Sequence, residues 1–185
     1  MSIATTVIAD RVFPRSLATN IALVFGGAAL TAISAQIQIP MWPVPMTMQT
    51  LAVLLVGAAM GAKRGALSLS LYLALGAAGL PVFASAKSLT GVIPTAGYLV
   101  GFVAAAALVG YLASRGFSSS PWKVALSFTL GSLVIYGFGV TGLMMALGIE
   151  LTDAIAAGVV PFLIGDVLKA AVAAAMLPLA WKLIK

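Results

Sequence analysis

Two oppositely charged residues, Asp166 and Lys169, lie three positions apart within the last apolar stretch of the chain. A charge at the centre of a membrane helix costs roughly 2.5 to 3.5 kcal/mol on insertion scales, so such residues mark candidate functional sites. Residues three apart in a helix share nearly the same face. The pair could bind a small molecule with a carboxylate at one end and N–H donors at the other. The alternative is an intrahelical ion pair that only stabilises packing.

The composition indicates a membrane environment. Of the 185 residues, 62% are hydrophobic and 8% are charged, and the mean hydropathy is +1.16. Such a chain cannot cover a water-facing surface with polar groups. Because no polar tract is long enough for a second, soluble domain, we predict a single domain over residues 1–185. Residues 1–12 would form a short cytoplasmic lead.

Six apolar stretches, separated by Pro, Gly, Ser or charged residues, predict an all-α fold with six membrane-spanning helices. They cover roughly residues 16–36, 47–62, 65–86, 95–114, 122–148 and 154–181. The second and third are short for an untilted span of about 30 Å. The first stretch follows Arg11 and Arg15 as a secretory signal would, but it is too long for most signal cores and lacks a convincing cleavage site.

The basic residues segregate when the connections are assigned alternately to the two sides of the membrane. Lys87 falls on one side, with Glu150 and Asp153. The other side carries Arg11, Arg15, Lys63, Arg64, Arg115, Lys123, Lys182 and Lys185. Basic connections mark the cytoplasmic side of a membrane protein. We therefore expect both termini in the cytoplasm.

Several classes of function are disfavoured. The chain has no histidine and no cysteine, which removes imidazole and thiol catalysis and the usual transition-metal ligands. Asp166 follows Gly165 as in intramembrane aspartyl proteases, but a catalytic dyad would need a second buried aspartate. The net charge of +6 is spread over short loops, whereas nucleic-acid binding needs a basic stripe. We predict a protein that is not an enzyme and uses neither cofactor nor metal.

The connection over residues 39–50 lies on the outer side and holds three prolines. Prolines at this density exclude a regular helix and stiffen the chain. Thr47, a possible cap, and Gln49 open the following helix. The connection could be a lid over a pocket or a plain connector, and Trp42 could face that pocket or anchor the chain at the membrane interface.

The longest irregular stretch, residues 80–99, also lies on the outer side. Phe83, Thr95 and Tyr98 supply apolar rings and hydroxyls, the composition expected around a small ligand. Tyr98 could equally be an interfacial aromatic anchor.

Small residues recur along the first apolar stretch. Ala18, Ala22 and Gly26 are spaced by four, and Ala28 and Ala32 repeat that spacing on a neighbouring face. This spacing lets helices approach closely in lipid. The partner would be either this protein's own helices or a separate membrane subunit.

Five segments in a fixed order resemble the BioY family, the biotin-specific substrate-binding components of energy-coupling factor (ECF) transporters. They are PVPMTMQT at 43–50, GAKRGALS at 61–68, YLALGAAGLPVFA at 72–84, PTAGYLVGF at 94–102 and GDVLKA at 165–170. The resemblance covers nearly all of residues 16–182.

The resemblance implies a six-helix component of the bacterial cytoplasmic membrane that captures biotin from outside with high affinity. Its partners would be a transmembrane coupling subunit (EcfT- or BioN-like) and cytoplasmic ATPases (EcfA- or BioM-like). By the resemblance, Lys169 pairs with the valerate carboxylate of biotin, Asp166 accepts its ureido N–H groups, and Gln49 and Tyr98 help line the pocket. The small residues of the first helix would dock the coupling subunit.

The chain departs from the family pattern in the outer connection over residues 80–99. Relatives usually run through a glycine-rich stretch into PTGGY, whereas this chain has ASAKSLTGVI and then PTAGY. Ser85, Ser88 or Thr90 would then supply any missing hydrogen bond. The alternatives to biotin capture are a related component for another small vitamin-like acid, an intramembrane enzyme, and a structural membrane subunit.

Overall fold

The computed structural model describes residues 7–89 and 93–184. Within these ranges the chain forms eight α-helices and one two-stranded antiparallel sheet. The helices are α1 (Ile8–Val12), α2 (Leu17–Gln36), α3 (Gln49–Met60), α4 (Ala62–Ala77), α5 (Ala96–Leu112), α6 (Pro121–Leu147), α7 (Leu151–Gly158) and α8 (Leu163–Leu183). The strands are β1 (Gln38–Ile39) and β2 (Met46–Thr47).

Four helical stretches of the described chain are long and apolar enough to cross a membrane. They are Leu17–Gln36, Ala96–Phe117, Pro121–Leu147 and Leu151–Leu183. Helices α3 and α4 have 12 and 16 residues, which corresponds to rises of about 18 and 24 Å against a hydrocarbon core of about 30 Å. A mostly helical membrane fold is confirmed, and the number of six spans stays a prediction.

The third predicted helix, over residues 65–86, is wrong at its C-terminal end, because α4 stops at Ala77. The amide of Gly79 donates to the carbonyl of Gly76, and the amide of Leu80 donates to the carbonyl of Leu75, both at 3.1 Å. This pair of bonds is a Schellman motif, and it needs a residue of positive φ. Gly79 supplies it, with φ of +91°.

The last predicted helix, over residues 154–181, is broken near its start. The chain forms α7, then a 3₁₀ turn at Val160–Phe162, then α8. Pro161 accounts for the break, since proline lacks an amide hydrogen and fits the first turn of a helix but not its interior. As a result Asp166 lies in the first turn of α8, where the helix dipole stabilises a negative charge.

The proline-rich connection is not helical, as predicted, but it forms a hairpin that the sequence did not indicate. Gln38 pairs with Thr47 and Ile39 pairs with Met46. The three prolines lie in the loop between the strands, where no ladder hydrogen bond is required of them. Helix α3 therefore begins at Gln49, after the hairpin, rather than at Thr47.

Helix α5 lies at the centre of the fold and packs against α3, α4 and α6. Small residues allow these close approaches, as is typical of helices in lipid. A Cβ at Gly57 would overlap the backbone of Ala106, and a Cβ at Gly97 would overlap the carbonyl oxygen of Phe138. The helices that carry the candidate site are thus held at fixed, short separations.

The small residues of α2 divide into two groups. Ala18, Ala22 and Gly26 are exposed on the outside of the fold, whereas Ala28 is buried and Ala32 is half-buried. Both inner residues pack against the core of this chain. Ala28 and Ala32 therefore take part in packing within this chain, one of the two alternatives that the sequence left open, and docking of a coupling subunit stays a prediction.

Candidate substrate-binding site

Asp166 and Lys169 form an ion pair on the first two turns of α8. Lys169 Nζ lies 3.2 Å from Asp166 Oδ1, and the two side chains are only 11% and 12% exposed. Such a pair needs further hydrogen bonds to offset the loss of hydration. The neighbouring elements supply them.

Residues at the start of α3 complete the bonding of the lysine. Lys169 Nζ donates to the carbonyl oxygen of Thr47 at 2.8 Å and to Thr50 Oγ1 at 2.7 Å. An ammonium group has three N–H donors, so the two threonines and Asp166 use all of them. Thr50 Oγ1 also donates to Asp166 Oδ1 at 3.3 Å.

The second carboxylate oxygen of Asp166 accepts a hydrogen bond from α6. Tyr136 donates its hydroxyl hydrogen to Asp166 Oδ2 at 2.6 Å. Neither Tyr136 nor Thr50 is among the residues predicted from the sequence. A buried tyrosine in an apolar helix usually finds a hydrogen-bond partner. The position of Tyr136 in an apolar stretch is therefore the signal by which it could have been predicted. The partner itself depends on how α6 and α8 face each other.

An enclosed cavity of about 50 Å³, here called the site cavity, lies beside this network. Its lining includes seven of the residues selected from the sequence, namely Thr47, Gln49, Phe83, Thr95, Tyr98, Asp166 and Lys169. Most of the remaining lining is apolar, with Leu99, Phe102 and Ile135 as examples. The cavity thus combines an apolar wall with one cation and one carboxylate.

Two of the polar lining residues have their polar atoms bonded within the protein. Gln49 Nε2 donates to the hydroxyl of Tyr72 at 2.7 Å, and Gln49 Oε1 accepts from Thr47 Oγ1 at 3.0 Å. The hydroxyl of Tyr98 donates to the carbonyl oxygen of Gly158 at 2.7 Å. These bonds link α3 to α4 and α5 to α7, so in this arrangement Gln49 and Tyr98 also hold the helices around the cavity in place.

The segment of residues 80–89, here called the Phe83 loop, is bound to the end of α2. Gln36 Nε2 donates to the carbonyl oxygen of Phe83 at 3.1 Å, and Gln36 Oε1 accepts from the amide of Ala86 at 3.1 Å. Gln38 Nε2 donates to Ser85 Oγ at 2.7 Å. The loop is therefore joined to the hairpin beside it, and Ser85 is occupied by that contact.

Three predicted residues lie outside the cavity lining. Trp42 is 81% exposed at the tip of the hairpin, and Ser85 and Ser88 belong to the Phe83 loop without lining the cavity. Thr90 lies outside the described residues. Contact of Trp42, Ser85 and Ser88 with a ligand stays a prediction.

The groups that line the cavity are suited to binding a ligand rather than to catalysing a reaction. Asp166 is the one carboxylate among the described lining residues, so a dyad for acid–base catalysis is missing there. The described residues also contain no cluster of His, Cys, Asp or Glu that could hold a metal ion. A cation and an acceptor at the edge of an apolar cavity can bind a molecule that has complementary polar groups and an apolar body.

The fold and the cavity define a class, that of a multi-pass helical membrane protein with a cavity between its helices. A model of the BioY family matches residues 5–185. The chain belongs to this family, which confirms the resemblance found in the sequence.

Related proteins and a solved structure agree with this assignment. The biotin transporter BioY of Thermotoga maritima is 41% identical over 148 residues, which cover 79% of this chain and 86% of that protein. The biotin transporter BioY of Rhizobium etli is 40% identical over 141 residues, or 71% of this chain and 75% of that protein. The S-component for biotin from an ECF-type ABC transporter has the same fold, with a TM-score of 0.78 over 89% of this chain and 92% of that chain, at 22% identity. The family and the fold are those of a transport component, not of an enzyme.

Proposed function

We propose that this protein captures biotin as the substrate-binding component of an ECF-type importer in the bacterial cytoplasmic membrane. The observation that carries the proposal is the Asp166 and Lys169 pair at the edge of an otherwise apolar cavity. Biotin has a carboxylate on its tail, N–H groups on its ureido ring and an apolar body between them. The relatives named biotin transporters support this choice of ligand.

In the proposed complex Lys169 pairs with the carboxylate of biotin and Asp166 accepts a ureido N–H. Charge-assisted hydrogen bonds of this kind are roughly twice as strong as neutral ones. All three donors of Lys169 are bonded in the closed site. The ligand carboxylate therefore replaces one of the two threonine oxygens, and the hydrogen bond from Tyr136 holds the Asp166 carboxylate in its orientation.

Biotin reaches the site only after the hairpin and the Phe83 loop separate from the helices below them. A cavity of about 50 Å³ has room for only one or two water molecules, each with a share of liquid volume of about 30 Å³. The bond from Gln38 to Ser85 joins the two segments, whereas the bonds from Gln36 hold the Phe83 loop to α2 and must break. We therefore expect them to move together when the site opens.

We further propose a single six-helix domain over residues 1–185 with both termini in the cytoplasm. The segregation of basic residues supports this topology, and the central position of α5 supports one shared core. The site then opens to the outer side. Ala18, Ala22 and Gly26 remain on the exposed face of α2, where a transmembrane coupling subunit would dock and link the protein to cytoplasmic ATPases.

The test is binding of labelled biotin to the full chain, purified in detergent without partner subunits. We expect saturable binding to the wild type and a loss of at least tenfold in affinity in Asp166→Ala. The matched control is Asp153→Ala, which removes an exposed carboxylate on α7 and should bind as the wild type does. A folded wild-type chain that binds no biotin would refute the proposal, and other vitamins with a carboxylate would then be tested.

A further inference from the structure

A groove of about 1140 Å³ lies on the outside of the fold, between α1, α2 and the first part of α4. It shares no lining residue with the site cavity. We call it the side groove. Its volume exceeds the roughly 1,000 Å³ of the largest ordinary ligand pockets, so it has space for an elongated molecule.

The walls of the side groove are apolar and exposed. Leu17, Ile21 and Phe25 lie along one side of α2, and Leu67 faces them from α4. Each of these side chains is about half exposed or more. Exposed apolar patches of this kind mark contact with apolar partners. In a membrane protein that partner includes hydrocarbon chains.

The depth of the groove matches one leaflet of a bilayer. The lining runs from Lys63 to Ala74 along α4, and eleven residues of helix rise about 17 Å. Half of a hydrocarbon core of about 30 Å is about 15 Å. An acyl chain that lies against this wall would reach from the membrane surface to the bilayer centre.

The end of the groove next to α1 carries an excess of positive charge. Asp10 of α1 forms an ion pair with Arg64, and Arg15 Nη2 lies 3.8 Å from the same carboxylate. Arg15 is 70% exposed, and Lys63, which lines the same groove, is also exposed. Three cations with one carboxylate leave two positive charges in excess at the head of an apolar groove.

We propose that the side groove binds an anionic glycerophospholipid, with an acyl chain between α2 and α4 and the headgroup phosphate at Arg15 and Lys63. The excess of positive charge favours an anionic headgroup. The length of the groove wall matches an acyl chain that spans one leaflet of the bilayer. Ala18, Ala22 and Gly26 do not line the groove. The lipid can therefore stay bound while a coupling subunit docks on α2.

The test compares retention of phosphatidylglycerol and phosphatidylcholine with identical acyl chains on the full chain, measured by native mass spectrometry from detergent. We expect the wild type to retain phosphatidylglycerol preferentially. A basic residue near an anionic headgroup contributes about fivefold in affinity. Arg15→Gln with Lys63→Gln should therefore lower phosphatidylglycerol retention about 25-fold. The matched control, Lys123→Gln with Lys182→Gln, removes two charges outside the groove and should change little.

A second pair of variants tests the apolar part of the groove without changing charge. Ser70 is exposed and lines the groove, so Ser70→Trp should fill it and release the lipid. Thr129→Trp, on the exposed side of α6, adds the same bulk elsewhere and should leave retention unchanged. Far-UV circular dichroism and the Tm report the fold of every variant, independently of biotin binding.

Three outcomes would overturn the proposal. Equal retention of both lipids would show that the charges select nothing, and equal loss in the Lys123 and Lys182 control would show a general surface effect. Retention in a folded Ser70→Trp variant would place the acyl chain elsewhere. Because biotin binding is measured on its own, failure of this proposal leaves the proposed function untouched.

Discussion

Replacing Lys169 with methionine separates two roles that this side chain can have. The ammonium group bonds to Thr47, Thr50 and Asp166 in the closed site, and in the proposed complex it also pairs with the ligand. Methionine has a similar length but no charge. Truncating one partner of a buried, hydrogen-bonded charge pair costs about 2 to 5 kcal/mol, a factor of about 30 to 5,000 in Kd. Because Lys169 retains some exposure, we expect biotin to bind about 100-fold more weakly.

The assay is a comparison of biotin with its carboxamide, in which the tail carries no charge. If Lys169 pairs with the carboxylate, the amide already lacks that contact, so Lys169→Met should weaken amide binding by less than about tenfold. Titration calorimetry gives the Kd of each ligand for the wild type and for Lys169→Met. These four values form a thermodynamic cycle. The coupling between side chain and carboxylate is the part of the loss that is specific to biotin.

Equal losses for biotin and its amide would refute the pairing. Lys169 would then act only through its contacts within the protein, to Thr47, Thr50 and Asp166, as in the alternative of an ion pair that only stabilises packing. Lys123→Met is the matched control, because it removes a cation outside the site cavity and should bind both ligands as the wild type does.

Two further predictions concern the residues that support the site. Tyr136→Phe removes the 2.6 Å hydrogen bond to Asp166; since such bonds to charged groups contribute about 1.5 to 3 kcal/mol, biotin should bind about 10- to 100-fold more weakly by titration. Tyr111→Phe, at an exposed tyrosine, is its control, and unchanged affinity in Tyr136→Phe would exclude a role for the bond. Gly97→Val would push α5 from α6 at Phe138, and overpacking costs about 1 to 3 kcal/mol, so Tm and biotin binding should fall together. Gly137→Val adds its Cβ in open space and should keep both, whereas an unchanged Tm in Gly97→Val would contradict the close crossing.

Several elements could be predicted because the signal is local. A span of about twenty apolar residues predicted α2 to within a residue or two, and the prolines after it predicted a non-helical connection. The spacing of Asp166 and Lys169 placed both on one helix face, since that depends only on helical geometry. The same local reasoning was wrong for the end of α4, where Gly79 interrupts an apolar run whose hydropathy continues.

The sequence by itself determined the membrane environment and the charged pair, because hydropathy, charge and helix periodicity are properties of neighbouring residues. Tertiary structure alone decided which groups meet that pair. Thr50 and Tyr136 lie 116 and 30 positions from Asp166, and their contact depends on how α3 and α6 pack on α8. It also decided that Gln49 and Tyr98 bond within the protein, because a polar side chain in an apolar interior takes whichever partner the packing places within hydrogen-bond distance.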